Sequence, residues 1–276
     1  MTAASIRRPA LLPRVRASLF ALALVTLSAC GTQLTPTHAE VEGRTVEVVE
    51  AGEGDVTVVF ESGLGDDWTP WDAVASEVAD SARVFAYSRP GYGDSDPSPD
   101  PRDAAQIVED LRALLAARGF APPYVLVGHS FGGAYMEWFA KAHPEEVIGL
   151  VLVDPRHRDF TAVCESAKLQ GCSIPAKALR SLPQVQIAEF EAFAGVSDQI
   201  HAAGEFGSYP VRVLTATRHH FAPQAEGLWE SMLGSLADEA AEGEQIVFAR
   251  AGHYLQIKRA RSVAHVILSL VPESGN

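Results

Sequence analysis

The chain has 276 residues, 47% of them hydrophobic, and a formal net charge of −13. That is enough apolar material for one large core. No low-complexity stretch divides the chain after its first thirty residues, and no internal period marks a solenoid or propeller. Acidity of this size repels phosphate backbones and anionic headgroups, which argues against a nucleic-acid partner and leaves membrane attachment to a lipid or apolar anchor.

At the N-terminus Arg7, Arg8, Arg14 and Arg16 precede an uncharged apolar run from Ala17 to Ala29. A spanning helix needs about 20 residues, so this run fits the hydrophobic part of an export signal better than an anchor. Its end, Leu27-Ser28-Ala29-Cys30-Gly31, resembles the lipobox of bacterial lipoproteins, which implies cleavage before Cys30 and lipidation of that cysteine. A plain secretory signal with Cys30 incidental is the alternative. Arg7-Arg8 hints at twin-arginine export, but Pro9 fits that signal poorly and ordinary export is preferred. The expected organisation is a signal peptide over 1–29, a tether over 30–43, and a main domain over 44–276. Both readings put the mature chain outside the cytoplasm in a bacterial cell envelope, lipid-anchored in the first and released in the second. Losing 1–29 removes four arginines and no acid, moving the net charge from −13 to −17.

Short runs rich in Val, Ile, Leu and Phe predict strands at Thr45 to Glu50, Val56 to Glu61, Arg83 to Ser88, Tyr124 to Gly128, Gly149 to Asp154, Val211 to Ala216 and Gln245 to Ala249. Longer helical segments alternate with them, the pattern of an α/β chain with a mostly parallel sheet. Ile107, Leu111, Leu114 and Leu115 recur at spacings of three and four, predicting a helix that stops at Arg118-Gly119. The stretch 156–208 breaks the alternation and reads as a cap insertion and candidate lid, with helical pieces near 176–182 and 185–194. Cys164 and Cys172, close together in a chain bound for an oxidising compartment, are expected to form a disulfide.

Gly128-His129-Ser130-Phe131-Gly132 fits the G-x-S-x-G nucleophile elbow, and its flanks supply the strand, turn and helix that the motif needs. Glycines at 128 and 132 let the turn be sharp and the helix approach closely. A serine hydroxyl needs a base, and His253, just after the last predicted strand, is the candidate. His38, His143 and His265 suit solvated or structural roles, and His129 is expected to point away from the base. For the acid that orients the imidazole, Asp154 is chosen because it ends the strand after the nucleophile strand, at the same sheet edge. A turn or capping role before Pro155 is the bland reading of Asp154, and Glu226 is the fallback. Two backbone N–H groups must face the developing oxyanion: Phe131 supplies one and Leu64, in Ser62-Gly63-Leu64-Gly65, the other.

Together these features resemble the α/β-hydrolase family over roughly Thr45 to Leu270. Tyr87-Ser88-Arg89-Pro90-Gly91-Tyr92-Gly93-Asp94-Ser95 looks like the family's loop around aspartate, arginine, proline and glycine. Two departures stand out. Many members carry the acid after the strand before the histidine strand, yet Leu214-Thr215-Ala216-Thr217-Arg218-His219-His220 has no carboxylate, which favours Asp154, the position used by a subset of the family. Ser62 stands where many relatives have histidine. His219 and His220 are read as loop residues rather than a metal site.

The resemblance implies an acyl-enzyme on Ser130, formed from an ester or amide and released by a water activated through His253, with no cofactor and no metal. Serine at the elbow disfavours the family's dehalogenases and epoxide hydrolases, which use aspartate there. A carboxylesterase is the first expectation. Aminopeptidase, lipase or carbon-carbon hydrolase activity comes behind it, and the rival from another class is a non-catalytic surface lipoprotein that binds a ligand or partner. Trp68, Trp71, Phe160, Phe190 and Phe193 are candidate apolar walls for the substrate pocket.

Overall fold

The structure, a computed structural model, describes Met1, residues 32–219 and residues 221–272. Cys30 and the stretch expected to be an export signal lie outside the described residues, as does His220. Among the described residues no helix is long and apolar enough to cross a membrane.

Eight strands form one sheet: β1 (Thr37–Val41), β2 (Arg44–Ala51), β3 (Thr57–Glu61), β4 (Arg83–Tyr87), β5 (Tyr124–His129), β6 (Val147–Val153), β7 (Pro210–Ala216) and β8 (Glu242–Phe248). Their order is β1-β2-β4-β3-β5-β6-β7-β8. The β1–β2 and β2–β4 pairs are antiparallel and the rest parallel. Every residue of β3 and β5 is buried, as expected of central strands covered on both faces, whose sequences read as near-continuous apolar runs. The two-residue pleat divides them between two cores. Val125 and Val127 face one side with Val58 and Phe60, while Tyr124 and Leu126 face the other with Val59.

Helix α1 (Asp72–Ala79), the single turn α8 (Leu255–Lys258) and α9 (Ala260–Leu268) cover the first face. The second is covered by α2 (Ala104–Ala117), α3 (Phe131–Ala142) and α7 (Pro223–Asp238). In α2 the Asp103 side chain accepts from the Gln106 N–H at 3.0 Å, satisfying one of the free donors of the first turn. The expected stripe of Ile107, Leu111, Leu114 and Leu115 is buried, and the helix stops where Gly119 takes a φ of +77°.

Two expectations about organisation need correcting. The stretch 30–43 is not simply a tether, because β1 lies in it and pairs with β2 through Val41 and Arg44. Ala39 and Leu34 are buried there; the run is short and polar enough to hide its pairing. The cap holds α4 (Phe160–Ser166), a single turn α5 (Ala176–Leu179), and α6 (Gln184–Ala203), a continuous helix that runs well past residue 194. Nor is α6 a loosely held lid. Its Glu189 carboxylate is fully buried and meets Arg89 Nη2 at 2.7 Å and Arg102 Nη2 at 2.7 Å. Arg89 in turn pairs with Glu61 at the end of β3. Burial works against the Arg89 charge, but the Glu189 and Glu61 carboxylates more than offset it and hold its pKa well above the usual arginine value.

Candidate active site

Ser130 stands between β5 and α3 with φ 53° and ψ −118°, a conformation that L-residues adopt only when their surroundings enforce it. The enforcement is visible in the packing. A Cβ on Gly132 would lie 2.4 Å from the Ser62 carbonyl oxygen, and one on Gly128 would lie 2.5 Å from the Gly132 carbonyl oxygen. The Ser130 N–H donates to the Val153 carbonyl at 3.3 Å, and its carbonyl accepts from the N–H groups of Gly133 (3.0 Å) and Arg156 (2.8 Å). The serine is thus tied to β6 and to the segment after it. Its hydroxyl reaches a cavity of about 340 Å³ that His253 also lines.

Asp154 lies one residue beyond β6 with φ 44° and is completely buried. Its Oδ1 accepts from the Ala216 N–H (2.9 Å) and the Trp229 Nε1–H (3.0 Å). Its Oδ2 meets His253 Nδ1 and His219 Nε2, each at 2.6 Å. Burial alone would raise this pKa. The hydrogen bonds and charges of the two histidines outweigh burial and hold the carboxyl well below its ordinary range. An ionised Asp154 needs a proton on His253 Nδ1, which fixes the tautomer that leaves Nε2 free to act as base. No hydrogen bond joins Ser130 Oγ to His253 among the described residues; such contacts often tighten only around a substrate.

The structure also brings in residues that sequence reasoning set aside. The His129 ring was expected to face away from the base. Instead it packs against His253 with centroids 4.6 Å apart and against Tyr254 at 4.9 Å. His129 Nε2 lies 3.2 Å from the His253 carbonyl oxygen. Burial, reinforced by the nearby His253, pushes the His129 pKa well below the usual histidine value, so it is a neutral ring that donates through Nε2 and props the base's loop.

His219, read from sequence as a loop residue, is bound at both nitrogens. Nε2 meets Asp154, and Nδ1 meets Glu226 Oε2 at 2.8 Å. Glu226 Oε1 also accepts from the His219 N–H at 2.7 Å and the Phe221 N–H at 3.0 Å. Burial would lower the His219 pKa, but the hydrogen bonds and charges of Asp154 and Glu226 raise it. A carboxylate at each nitrogen favours the protonated ring. Glu226 is therefore one step removed from His253, not its direct acid. A metal is the other use for Asp154, His219 and His253, whose ligand atoms cluster. Ligands bound about 2.0–2.1 Å from a tetrahedral zinc stand roughly 3.3 Å apart, whereas the nitrogens here are at hydrogen-bonding distance from Oδ2. A hydrogen-bonded carboxylate–histidine network fits the geometry better.

The two expected oxyanion donors flank the serine. Phe131 is the first residue of α3, so its N–H has no partner within the helix, and Leu64 lines the cavity. The Leu64 loop is held from behind by Arg89, which donates from Nη1 to the Ser62 carbonyl (2.6 Å) and from Nη2 to the Gly63 carbonyl (2.8 Å). Arg89 therefore ties the Leu64 loop and the cap helix α6 to one buried cation. The signal was present in the Arg89-Pro90-Gly91 loop, but its partner Glu189 is a hundred residues away and looks like an ordinary surface glutamate in sequence.

The apolar walls differ from those expected. Trp68 and Trp71 are buried in the core on the first face, with Trp71 against Phe60. Phe160 lies fully buried beneath the site. Phe190 and Phe193 pack on Phe131 and line a neighbouring cavity. The catalytic cavity itself is walled by Phe131, Ile174, Phe221, Trp229 and Tyr254. Trp229 was missed because helix α7 was not foreseen, and Phe221 because it lies in the loop just before that helix. The disulfide is present, joining Cys164 to Cys172 with Cα atoms 5.5 Å apart, and it closes the loop that brings Gly171, Ser173 and Ile174 to the cavity.

Comparison with known proteins agrees with this architecture. A family model for the alpha/beta hydrolase fold matches residues 56–169. The uncharacterized protein YqjL of Bacillus subtilis is 29% identical over 194 residues, covering 67% of this chain and 71% of that protein. An uncharacterized protein of Mycobacterium tuberculosis is 32% identical over 143 residues, covering 50% of this chain and 41% of the relative. Among solved structures, a membrane phospholipase A described as a bacterial virulence factor aligns with a TM-score of 0.59 at 20% identity, over 86% of both chains. A putative lipase from Acinetobacter baumannii gives 0.62 at 18% identity, over 86% of this chain and 92% of that one. An epoxide hydrolase from Vigna radiata gives 0.64 at 17% identity, over 86% and 97%.

Proposed function

We propose that this chain, which has the α/β-hydrolase fold, is an exported serine hydrolase that cleaves a carboxylic ester through an acyl-enzyme on Ser130. The observation that carries the reading is the shared cavity of Ser130 and His253, with His253 Nδ1 held at 2.6 Å by a fully buried Asp154. As Ser130 Oγ attacks the ester carbonyl carbon, its proton passes to His253 Nε2. Asp154 stabilises the imidazolium that forms. The carbonyl oxygen takes up the negative charge facing the N–H groups of Leu64 and Phe131, each worth about 3 kcal/mol in comparable sites. When the carbon–oxygen bond to the alcohol breaks, the alcohol takes the proton from Nε2. A water then attacks the acyl-enzyme by the same route in reverse, giving the free acid and restoring Ser130.

An ester is taken first because Leu64, Phe131, Ile174, Phe221, Trp229 and Tyr254 offer apolar contacts to an acyl or alkyl group beside Ser130. The first test is labelling with a fluorophosphonate, comparing wild type with Ser130→Ala. Labelling that depends on Ser130 is expected. Its absence from folded wild-type protein would return the chain to a non-catalytic binding lipoprotein. Membrane attachment through Cys30 belongs to the same proposal, and incorporation of labelled palmitate that is lost in Cys30→Ser is the expected result.

A further inference from the structure

Among the described residues Arg156 has no counter-ion, and it stands in the wall of the cavity that Ser130 and His253 share. Its backbone N–H holds the Ser130 carbonyl, placing it two residues beyond Asp154. The guanidinium lies over the rings of Phe160 at 5.1 Å and Trp229 at 5.9 Å. Its Nη2 donates to two neutral acceptors, Thr161 Oγ1 and, at 3.0 Å, the Cys172 carbonyl oxygen. Its Nε is buried with no partner among the described residues. Burial alone pushes its pKa down to about 10, so it remains charged at neutral pH.

The contrast with the other buried arginines is chemical. Arg89, Arg102 and Arg158 each meet a carboxylate, whereas among the described residues none lies within ion-pair distance of Arg156. The nearby carboxylates are otherwise placed. Asp66, in the wall of the same cavity, accepts from the Tyr254 hydroxyl at 3.3 Å. Asp159, Glu165 and Asp198 line the adjoining cavity that Arg156 and Ser173 also border. Of these, Asp159 is held by Ser197 and His201. A desolvated guanidinium with an unused donor is costly unless an anion completes it, and its planar fork suits a carboxylate.

Resting on the serine-hydrolase reading, we infer that Arg156 recognises a carboxylate on the substrate, so that the ester cleaved is that of an acid or alcohol bearing a second, anionic group. The rings of Phe160 and Trp229 lie within cation–π reach of the guanidinium. The Cys164–Cys172 disulfide braces the carbonyl that orients it. The strongly acidic surface of the chain makes such a local cation necessary, because an anionic substrate is otherwise repelled on approach.

The test uses the full chain and two matched pairs of esters. One pair carries the charge on the acyl side: the p-nitrophenyl monoester of glutarate against p-nitrophenyl valerate. The other carries it on the alcohol side: 4-carboxyphenyl butyrate against phenyl butyrate. Wild type is expected to favour the anionic member of one pair, and Arg156→Gln to lose about tenfold in kcat/KM on that ester while changing little on its neutral match. Arg156→Lys should recover part of the loss. Equal effects of Arg156→Gln on charged and neutral esters in both pairs would overturn the inference while leaving the hydrolase intact. If no ester is turned over, the hydrolase reading fails instead. The anion site is then judged by thermal shift with glutarate, which should stabilise wild type but not Arg156→Gln; no stabilisation of wild type would overturn it.

Discussion

His253 and His219 meet the same oxygen of Asp154, Oδ2, at the same distance of 2.6 Å. One carboxylate oxygen thus orients the candidate base on one side and the His219 ring on the other, while the second oxygen is occupied by Ala216 and Trp229. Asp154→Asn keeps the shape but replaces the charge and presents an N–H where one histidine needs an acceptor. Turnover is expected to fall by about 10⁴-fold, the size of loss that follows a wrong histidine tautomer. Steady-state kinetics on a short-chain ester check this, with fluorophosphonate labelling expected to slow in parallel.

The fold was legible where local pattern and tertiary role agreed. The buried runs Val58-Val59-Phe60 and Val125-Leu126-Val127 announce central strands, and the glycines around Ser130 announce a turn that the packing then requires. Asp154 could be picked because strand order and parallel pairing bring the ends of β5 and β6 to one edge. What stayed hidden depends on contacts between residues far apart in sequence. Nothing local marks Glu189 as buried, Arg89 as the brace of Leu64, or His219 as the partner of Asp154. His129 was misread because its place beside the nucleophile was taken to turn the ring away, whereas as the last residue of β5 it continues the face of Val125 and Val127, against Trp71.

His219 makes the site's contribution to stability depend on pH. Its folded pKa is raised above the unfolded value near 6.5, so what it adds to stability is fully present below that value and is lost as pH rises through the folded pKa. Asp154 and Glu226 work in the opposite sense. Their folded pKa values are lowered, so their contribution is present above the unfolded carboxylate range near 4 and is lost as pH falls through the folded values. The Tm gap between wild type and His219→Gln should therefore be wider at pH 5.5 than at pH 9. Activity of the variant at neutral pH should fall by about tenfold, as is common when an outer hydrogen-bond partner of a reacting group is lost. A Tm gap that does not change with pH would mean that His219 carries no charge in the folded protein.

Glu189 joins the cap to the oxyanion loop, so its removal should be felt in both. Glu189→Ala leaves Arg89 and Arg102 buried without the carboxylate they share. Breaking a buried ion pair in this way costs about 3–5 kcal/mol. Denaturant titration should show a loss of this size. In protein that remains folded, kcat should fall more than KM rises, because Arg89 no longer fixes the Ser62 and Gly63 carbonyls behind the Leu64 N–H. Glu189→Gln, which keeps one accepting oxygen but turns an N–H toward the other arginine and loses the charge, should lie between. A loss of stability with kcat unchanged would separate the cap from the oxyanion loop.

The disulfide links stability to recognition by a shorter path. Closing the loop between Cys164 and Cys172, eight residues apart, removes chain entropy from the unfolded state worth about 2.5 kcal/mol. Replacing both cysteines with serine should lower stability by that order. The same change frees the Cys172 carbonyl that holds Arg156 Nη2 and loosens Gly171, Ser173 and Ile174 in the cavity wall. Selectivity for an anionic over a neutral ester should therefore shrink in the double serine variant, although Ser130, His253 and Asp154 are untouched and the neutral ester is still cleaved. Unchanged selectivity, measured on protein shown by mass spectrometry to lack the bridge, would show that Thr161 and the rings of Phe160 and Trp229 hold Arg156 without the loop.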